Sequence, residues 1–517
     1  MPLIEGRSLE HDLEEWTDAV VVGSGAGGAV VAKELSEAGL DVVVLEEGPH
    51  VPGEIYGRWR PTETLRHLGR EAGTTAVLGI GDTPIITVMA GRAVGGSSIL
   101  TGGVCFRIPS IIHHRWMRER GLDMLSEEAM APAFASAERE SHVEVVPEHM
   151  RSGSTTKFVE GARKLGIPVK SMSRNTDGCV GWSRCNFGCP VHAKISVDRS
   201  YLPKALARGV RVYSDCIAGK ITHRYGRASG VSGRFLAARD ARGNQRRTHR
   251  ITVHADTVVV AAGTLHTPLL LMKSGLRSPS IGRHMTLHPG FRVVARFEER
   301  IDGWKGALQS VFVDHFEREG VTLTGLFLPP NVLAAGLPGV GPELAERVGN
   351  LGHLAVFGGI VHDEEGGRVH RFFGREPLLT YRLAPADKEH MIRGVQVLAR
   401  IYLEAGAREV FPPFFGMQPI RSVDEIGSRV HTGLSARKME CVTFHPLGSC
   451  RIGRNAGEGV VNPWGESFEL PGLFVADGSV FPTSIGVNSQ LPIMAMATRI
   501  AWQLAERLGR KVRPVNA

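Results

Sequence analysis

Residues 19–33 read Ala19-Val20-Val21-Val22-Gly23-Ser24-Gly25-Ala26-Gly27-Gly28-Ala29-Val30-Val31-Ala32-Lys33: an apolar run, a G-x-G-x-x-G turn and the start of a helix. A turn in that setting binds a dinucleotide. Gly23 allows the tight bend, Gly25 lets the backbone approach a pyrophosphate, and Gly28 brings helix against strand, while the helix N-terminus supplies amide donors and the positive end of a dipole. A second strand, Val42-Val43-Val44-Leu45, ends in Glu46, eighteen residues past Gly28. A carboxylate there can accept from adenosine ribose hydroxyls. Strand, turn, helix and acid together predict a Rossmann-like unit and leave the identity of the dinucleotide open.

With 517 residues, 42% of them apolar, the chain is long enough for several domains and a large core. Apolar runs long enough to span a bilayer, about eighteen residues, are absent, and residues 1–16 lack the basic, apolar and small-residue blocks of a secretory signal. The expectation is a cytoplasmic protein without a transmembrane segment. Seven cysteines are too sparse, and odd in number, for a disulfide scaffold. The net charge of +8 is small for this length. Its main concentration, Arg239, Arg242, Arg246, Arg247 and Arg250, lies between apolar strands without interleaved aromatics, which predicts a solvated hairpin and no nucleic-acid partner.

Further along, a Gly-dense segment, Gly91-Arg92-Ala93-Val94-Gly95-Gly96-Ser97-Ser98, precedes a mixed region of loop and short helix to about residue 150. Strand-like blocks follow at Val210 to Ile221 and at Ile251 to Gly263, the latter ending Val258-Val259-Val260-Ala261-Ala262-Gly263. From about 290 to 440 the pattern changes. Phe291 to Phe297 alternates as a half-buried strand, further strand-like runs lie around 308–314 and 354–361, and a helix from about Asp387 to Ala405 carries Met391, Val395, Leu398 and Tyr402 on one face. A last helix begins near Pro492.

Two segments near the C-terminus hold candidate catalytic groups, Thr443-Phe444-His445-Pro446-Leu447-Gly448-Ser449-Cys450 and Val487-Asn488-Ser489-Gln490-Leu491-Pro492. An imidazole can take a proton from an alcohol near neutral pH, and an amide beside it can hold the substrate oxygen without adding charge. By itself, one histidine among 21 carries little weight.

At several separated points, in the family's order, the chain resembles the glucose-methanol-choline (GMC) family of flavin oxidoreductases. The N-terminal turn and Glu46 resemble its FAD-adenosine site, and Gly91 to Ser98 resembles its first signature. The run Gly263-Thr264-Leu265-His266-Thr267-Pro268 onward to Leu276 is similar to its second signature, and Asp477-Gly478-Ser479 resembles its C-terminal flavin-binding acid. The resemblance covers roughly residues 17 to 508, with almost none of it between 290 and 440.

It implies an α/β fold: a discontinuous Rossmann-like FAD-binding domain (15–110, 185–289 and 440–510), a mixed loop and helix region with a Cys-containing loop (111–184), and a second α+β substrate domain (290–439) with an antiparallel sheet. It implies FAD contacts at Gly23, Gly25, Ala26, Gly27, Gly28, Glu46, Arg92, Gly95, Gly96, Ser97, Ser98, Ala262, Gly263, Asp477, Gly478, Ser489 and Gln490. His445 and Asn488 fall on the family's catalytic pair. The implied reaction is oxidation of an alcohol to an aldehyde or ketone, with hydride passing to flavin N5, His445 as base and Asn488 orienting the substrate oxygen. The implied acceptor is oxygen or a redox partner. Where most relatives have an Asn soon after Ser98, this chain reads Ile99-Leu100-Thr101-Gly102-Gly103, and it has no His from Gly91 to Ile112, which predicts non-covalent FAD.

Cys179, Cys185 and Cys189 lie in one loop, followed by Pro190 and His192. Three readings stand: a structural loop, ligands of an iron-sulfur cluster, or, with His192, a zinc site. The spacing is similar to that of cytochrome-linked sugar dehydrogenase flavoproteins with a three-iron cluster. A flavoprotein subunit of such a complex and a lyase on the same scaffold are therefore the alternatives to a simple alcohol oxidase or dehydrogenase. The apolar stretch Leu326 to Gly341, broken by Pro and Gly, reads either as a lid favouring a bulky apolar alcohol or as a buried connection.

Overall fold

The computed structural model describes residues 3–237, 248–307, 309–326, 329–364 and 366–511. At its centre is a six-stranded parallel sheet in the order Leu3–Glu5, Arg211–Ser214, Val42–Leu45, Ala19–Val22, Thr257–Val260 and Leu473–Val475. The four strands at 19–22, 42–45, 257–260 and 473–475 are buried on both faces. That explains their near-continuous valine and other apolar side chains: helices cover both sides of a parallel sheet. Helix Gly28–Glu37 packs against the C-terminal helix Gln490–Arg507, which also packs against Glu127–Glu140.

Two strand-like blocks each divide between sheets. The run from Val210 becomes Arg211–Ser214 in the parallel sheet and Cys216–Arg224 in a separate four-stranded sheet. The break is Asp215, whose backbone adopts a left-handed conformation at φ +52°. Likewise Arg250–His254 belongs to the four-stranded sheet and Thr257–Val260 to the parallel one. Periodicity cannot show this, because a strand-like pattern does not say which sheet the strand joins.

The second layer is a large, mostly antiparallel sheet built around Gly290–Arg296, Leu354–Val361 and Val321–Gly325. It also takes in Thr75–Gly79, Ile86–Val88 and Cys441–Thr443 from distant parts of the chain. Helix Pro385–Glu404 lies on it with Met391, Val395, Leu398 and Tyr402 fully buried. Phe158 stacks on Phe357 with ring centroids 3.6 Å apart. The strand at 290–296 is not half-buried as its alternation suggests. Its centre is buried on both faces because one side meets helix 385–404 and the other meets a cavity and a small cluster of Val294, Leu354, Val356 and Phe411.

In the stretch 326–341, Pro330–Ala335 is a short helix, and Leu333 and Leu337 pack into that small cluster while Leu326 lines the cavity. Of the arginine-rich segment, Arg239, Arg242, Arg246 and Arg247 lie outside the described residues; Arg250 opens a strand. Among the described residues no helix is long and apolar enough to cross a membrane.

Candidate active site

The glycine turn sits where the parallel strands end. Gly23 has φ +100°, and a Cβ there would lie 2.3 Å from the Ala261 carbonyl oxygen. A Cβ on Gly27 would lie 1.9 Å from the Ala476 oxygen, and one on Gly28 the same distance from Gly23 O. Three backbones therefore meet where no side chain fits. Helix 28–37 begins without a side-chain cap or an acidic residue in its first turn. The terminus, with the positive end of its dipole, follows the glycine turn that walls a cleft, a setting suited to an anion.

That cleft encloses about 1340 Å³, part of it open to solvent, and is walled by Gly23, Gly25, Ala26 and Gly27 from the first turn. Gly96, Ser97 and Ser98 form another wall; Ala262, Gly263, Asp477, Gly478 and Ser489 form a third. Glu46 also lines it, with Oε2 accepting from Ser24 N at 2.9 Å and Ser24 Oγ at 2.7 Å and Oε1 from Gly48 N at 2.7 Å. Burial raises its pKa. Asp477 is held the same way: Gly263 N (2.8 Å) and the Thr267 hydroxyl donate to Oδ2, and Ser479 N donates to Oδ1 at 2.8 Å. Burial raises its pKa as well.

Gly28, Arg92 and Gly95 line neither this cleft nor its neighbour. Gly28 packs helix on turn; Gly95, at φ +96°, donates to Ser24 Oγ at 3.0 Å; Arg92 N donates to Leu68 O at 2.7 Å. A charged rim absent from the sequence reading borders the cleft. Arg70 pairs with Glu47 at 2.8 Å and Glu376 at 2.9 Å, Glu376 contacts His266 at 3.0 Å, and Arg375 pairs with Glu47. Burial works against the ionised Glu376, but His266 and Arg70 outweigh it and hold that carboxyl down at about 2.

A second cavity, a space of about 1000 Å³ that is partly open to solvent, shares Ala26, Ser97, Ser98, Phe444, Ser489 and Ile493 with the cleft. His445, Asn488 and Gln490 line it. Asn488 Nδ2 donates to His445 Nε2 at 3.1 Å, so the neutral ring carries its proton on Nδ1. Burial pushes the His445 pKa down to about 4, which keeps the ring neutral at physiological pH. Asn488 Oδ1 and Gln490 Nε2 are buried without partners, and the Gln490 amide is fixed by Thr101 Oγ1 donating to Oε1 at 2.5 Å. Phe291, Leu326, Ile360 and Val442 supply apolar wall, and Gly290, Gly358 and Gly359 keep part of the lining bare. No Asp, Glu, Lys or Arg lines it among the described residues.

The cysteine loop reaches the second cavity through Asn186. Cys179, Cys185 and Cys189 border one shallow pocket with a volume of only about 10 Å³; Cys185 Sγ accepts from Arg174 Nη2 at 2.8 Å and Cys189 Sγ from Ala193 N at 3.2 Å. Among the described residues no group of three or more His, Cys, Asp or Glu side chains could hold a metal ion, so the iron-sulfur and zinc readings find no support in the geometry. The loop instead grips the cavity wall. Lys194 Nζ donates to the carbonyls of Ser98, Ile99, Thr101 and Cys185, and Arg174 donates to Gly102 O. Burial lowers the Lys194 pKa to about 8. His288 also lines the second cavity. Its only sequence signal was position, a His-Pro pair at the entry to strand 290–296.

The family model for GMC oxidoreductase matches residues 17–290 and 375–497. An uncharacterised GMC-type oxidoreductase of Mycobacterium tuberculosis is 36% identical over 493 residues, which is 95% of this chain and 76% of the relative. A long-chain-alcohol oxidase of Arabidopsis thaliana is 28% identical over 98% of this chain and 70% of its own length. The crystal structure of pyridoxine 4-oxidase from Mesorbium loti superposes with a TM-score of 0.71 at 18% identity, over 94% of this chain and 98% of that one.

Proposed function

The chain belongs to the GMC oxidoreductase family, and on that premise we propose that it oxidises an uncharged, apolar alcohol to an aldehyde or ketone with non-covalent FAD as its cofactor. The carrying observation is the His445–Asn488 contact of 3.1 Å inside a cavity without charged lining that shares a wall with the glycine-walled cleft.

The residues present suit FAD. The uncapped helix terminus and glycine turn suit a pyrophosphate, and the unpartnered Gln490 Nε2 offers a donor in the wall of the second cavity, next in sequence to Ser489, which lines both spaces. Bound FAD supplies a two-electron acceptor. The chain's own part is to bind, orient and deprotonate the alcohol. Neutral His445 takes the hydroxyl proton at Nε2, and the Asn488 amide donates to the substrate oxygen and stabilises the negative charge that grows there. Phe291, Leu326 and Ile360 would house the rest of the molecule by burial of apolar surface, and a charged substrate group would find no counter-ion in this lining. The long-chain-alcohol oxidases among the relatives accord with that preference. All seven cysteines are free thiols, which accords with the proposed cytoplasmic location.

Anaerobic addition of long-chain, aromatic, steroid and sugar alcohols to FAD-loaded protein, followed by flavin absorbance, tests the proposal. Bleaching by apolar alcohols is expected. Bleaching by sugars alone overturns the substrate class, and turnover without bleaching points to a lyase. Peroxide formed on admitting air identifies oxygen as acceptor, and its absence identifies a redox partner.

A further inference from the structure

We propose that His288 is a positioning residue for alcohol oxidation, holding the 484–488 turn so that Asn488 meets His445; the inference rests on the roles given above to those two residues. His288 is fully buried, and its backbone adopts a left-handed conformation at φ +47°, unusual for a bulky side chain. Such a conformation persists where surrounding contacts impose it. Here both oxygens of Asp363 clamp the corner: Leu287 N donates to Oδ2 at 2.8 Å and His288 N to Oδ1 at 2.9 Å. Tyr381 OH and Ser484 Oγ donate to the same carboxyl at 2.8 and 3.2 Å.

The ring then reaches the turn that carries Asn488. His288 Nε2 accepts from Ile485 N and from Gly486 N, both at 3.1 Å. An imidazole nitrogen that accepts two amide protons cannot carry one of its own, so the ring is neutral with its hydrogen on Nδ1. Burial, with His445 and His362 nearby, pushes its pKa well below the ordinary histidine value, in agreement with that tautomer.

The turn is fixed from other sides too. Gly486 has φ +67°, a Cβ there would lie 2.4 Å from the His362 ring, and Thr322 Oγ1 donates to Gly486 O at 3.2 Å. The same corner also meets the other catalytic segment. Thr443 Oγ1 donates to Leu287 O and accepts from His445 N at 3.2 Å, and the rings of His288 and His445 stand 5.5 Å apart. Residues 287 and 288 thus bracket the two segments whose side chains must meet.

The acceptor can be separated from the bulk of the ring. His288→Gln places an amide oxygen near the position of Nε2, whereas His288→Met has similar length and no comparable acceptor. In FAD-loaded protein, Met is expected to slow flavin reduction by a saturating alcohol about a hundredfold, the cost of a misplaced reacting group, with FAD content unchanged. Gln is expected to recover most of that loss. Added to Asn488→Ala, Met should cost no more than about twofold further, because both changes remove one arrangement. Hydrogen exchange of the 484–488 peptide, read by mass spectrometry, gives an activity-independent check: faster in the Met variant and close to the parent in Gln.

Equal losses in Gln and Met, additive losses with Asn488→Ala, or unchanged exchange in Met would each overturn the role of His288 while leaving His445 and Asn488 in place. Full activity of Asn488→Ala would overturn the reading of the site, and this inference with it.

Discussion

Asn488 Nδ2 and His445 Nε2 lie 3.1 Å apart although 43 residues separate them in the chain. An alcohol oxygen placed against both atoms can give its proton to one and accept a hydrogen bond from the other. Replacing His445 with Ala should therefore leave FAD bound and slow flavin reduction by about two to four orders of magnitude, the range for loss of a general base. Rapid-mixing measurement under anaerobic conditions checks it, and an unchanged rate removes His445 from the chemistry.

The rate should depend weakly on acidity. Burial holds the His445 pKa at about 4, so flavin reduction should stay level from neutral pH down through the usual histidine range and fall only as that value is approached. Stability follows opposing trends. Between the ordinary histidine pKa and about 4, the unfolded chain binds protons that folded His445 and His362 refuse, so these two groups weaken the fold as pH drops through that window. Asp363, raised by burial to about 7, acts in reverse: its contribution is complete below the ordinary aspartate pKa and is lost as pH rises through 7. Thermal unfolding against pH should show a weaker acid limb in His445→Gln than in the parent.

Arg70 is mostly buried between Glu47 and Glu376. Arg70→Ala leaves Glu47 mostly buried with only the partly exposed Arg375 as partner. The expected loss is about 2–3 kcal/mol, less than for a wholly buried pair because Glu376 is partly exposed. Because these residues border the cleft proposed to hold FAD, the variant should also lose FAD faster on dialysis; retention equal to the parent would detach the rim from cofactor binding.

Denaturation by acid or heat should release all the flavin into solution, since the segment from Gly91 to Ile112 offers no histidine for a covalent bond. Colour remaining with the precipitate would contradict this. Iron analysis of protein purified without air should find no stoichiometric iron, given the cysteine geometry.

Much of the parallel layer could be read from the sequence because it is local. Val42 to Leu45 is an unbroken apolar run, and the structure makes a strand of those four residues. Helix 385–404 declared its buried face through Met391, Val395, Leu398 and Tyr402. Long-range ion pairs had no such signal. Arg70 and Glu376 are 306 positions apart, and only the fold brings them together. His288 was missed for the same reason, since neither its left-handed backbone nor its two amide partners leaves a periodic trace. The divided runs at 210–221 and 251–263 failed differently: a strand-like pattern does not tell which sheet the strand joins, and the break at Asp215 is a turn of the backbone.

The cleft that begins at Gly23 is completed by Asp477 and Ser489. During synthesis the first glycine turn emerges long before its opposite wall, so a ribosome-bound chain stalled ahead of strand 473–475 lacks a finished cleft. Pairing elements this far apart carries a large loop-closure cost and favours slow, late assembly. If the cleft holds FAD as proposed, a truncation removing strand 473–475 and helix 490–507 should fail to bind flavin even with the entire N-terminal fingerprint intact.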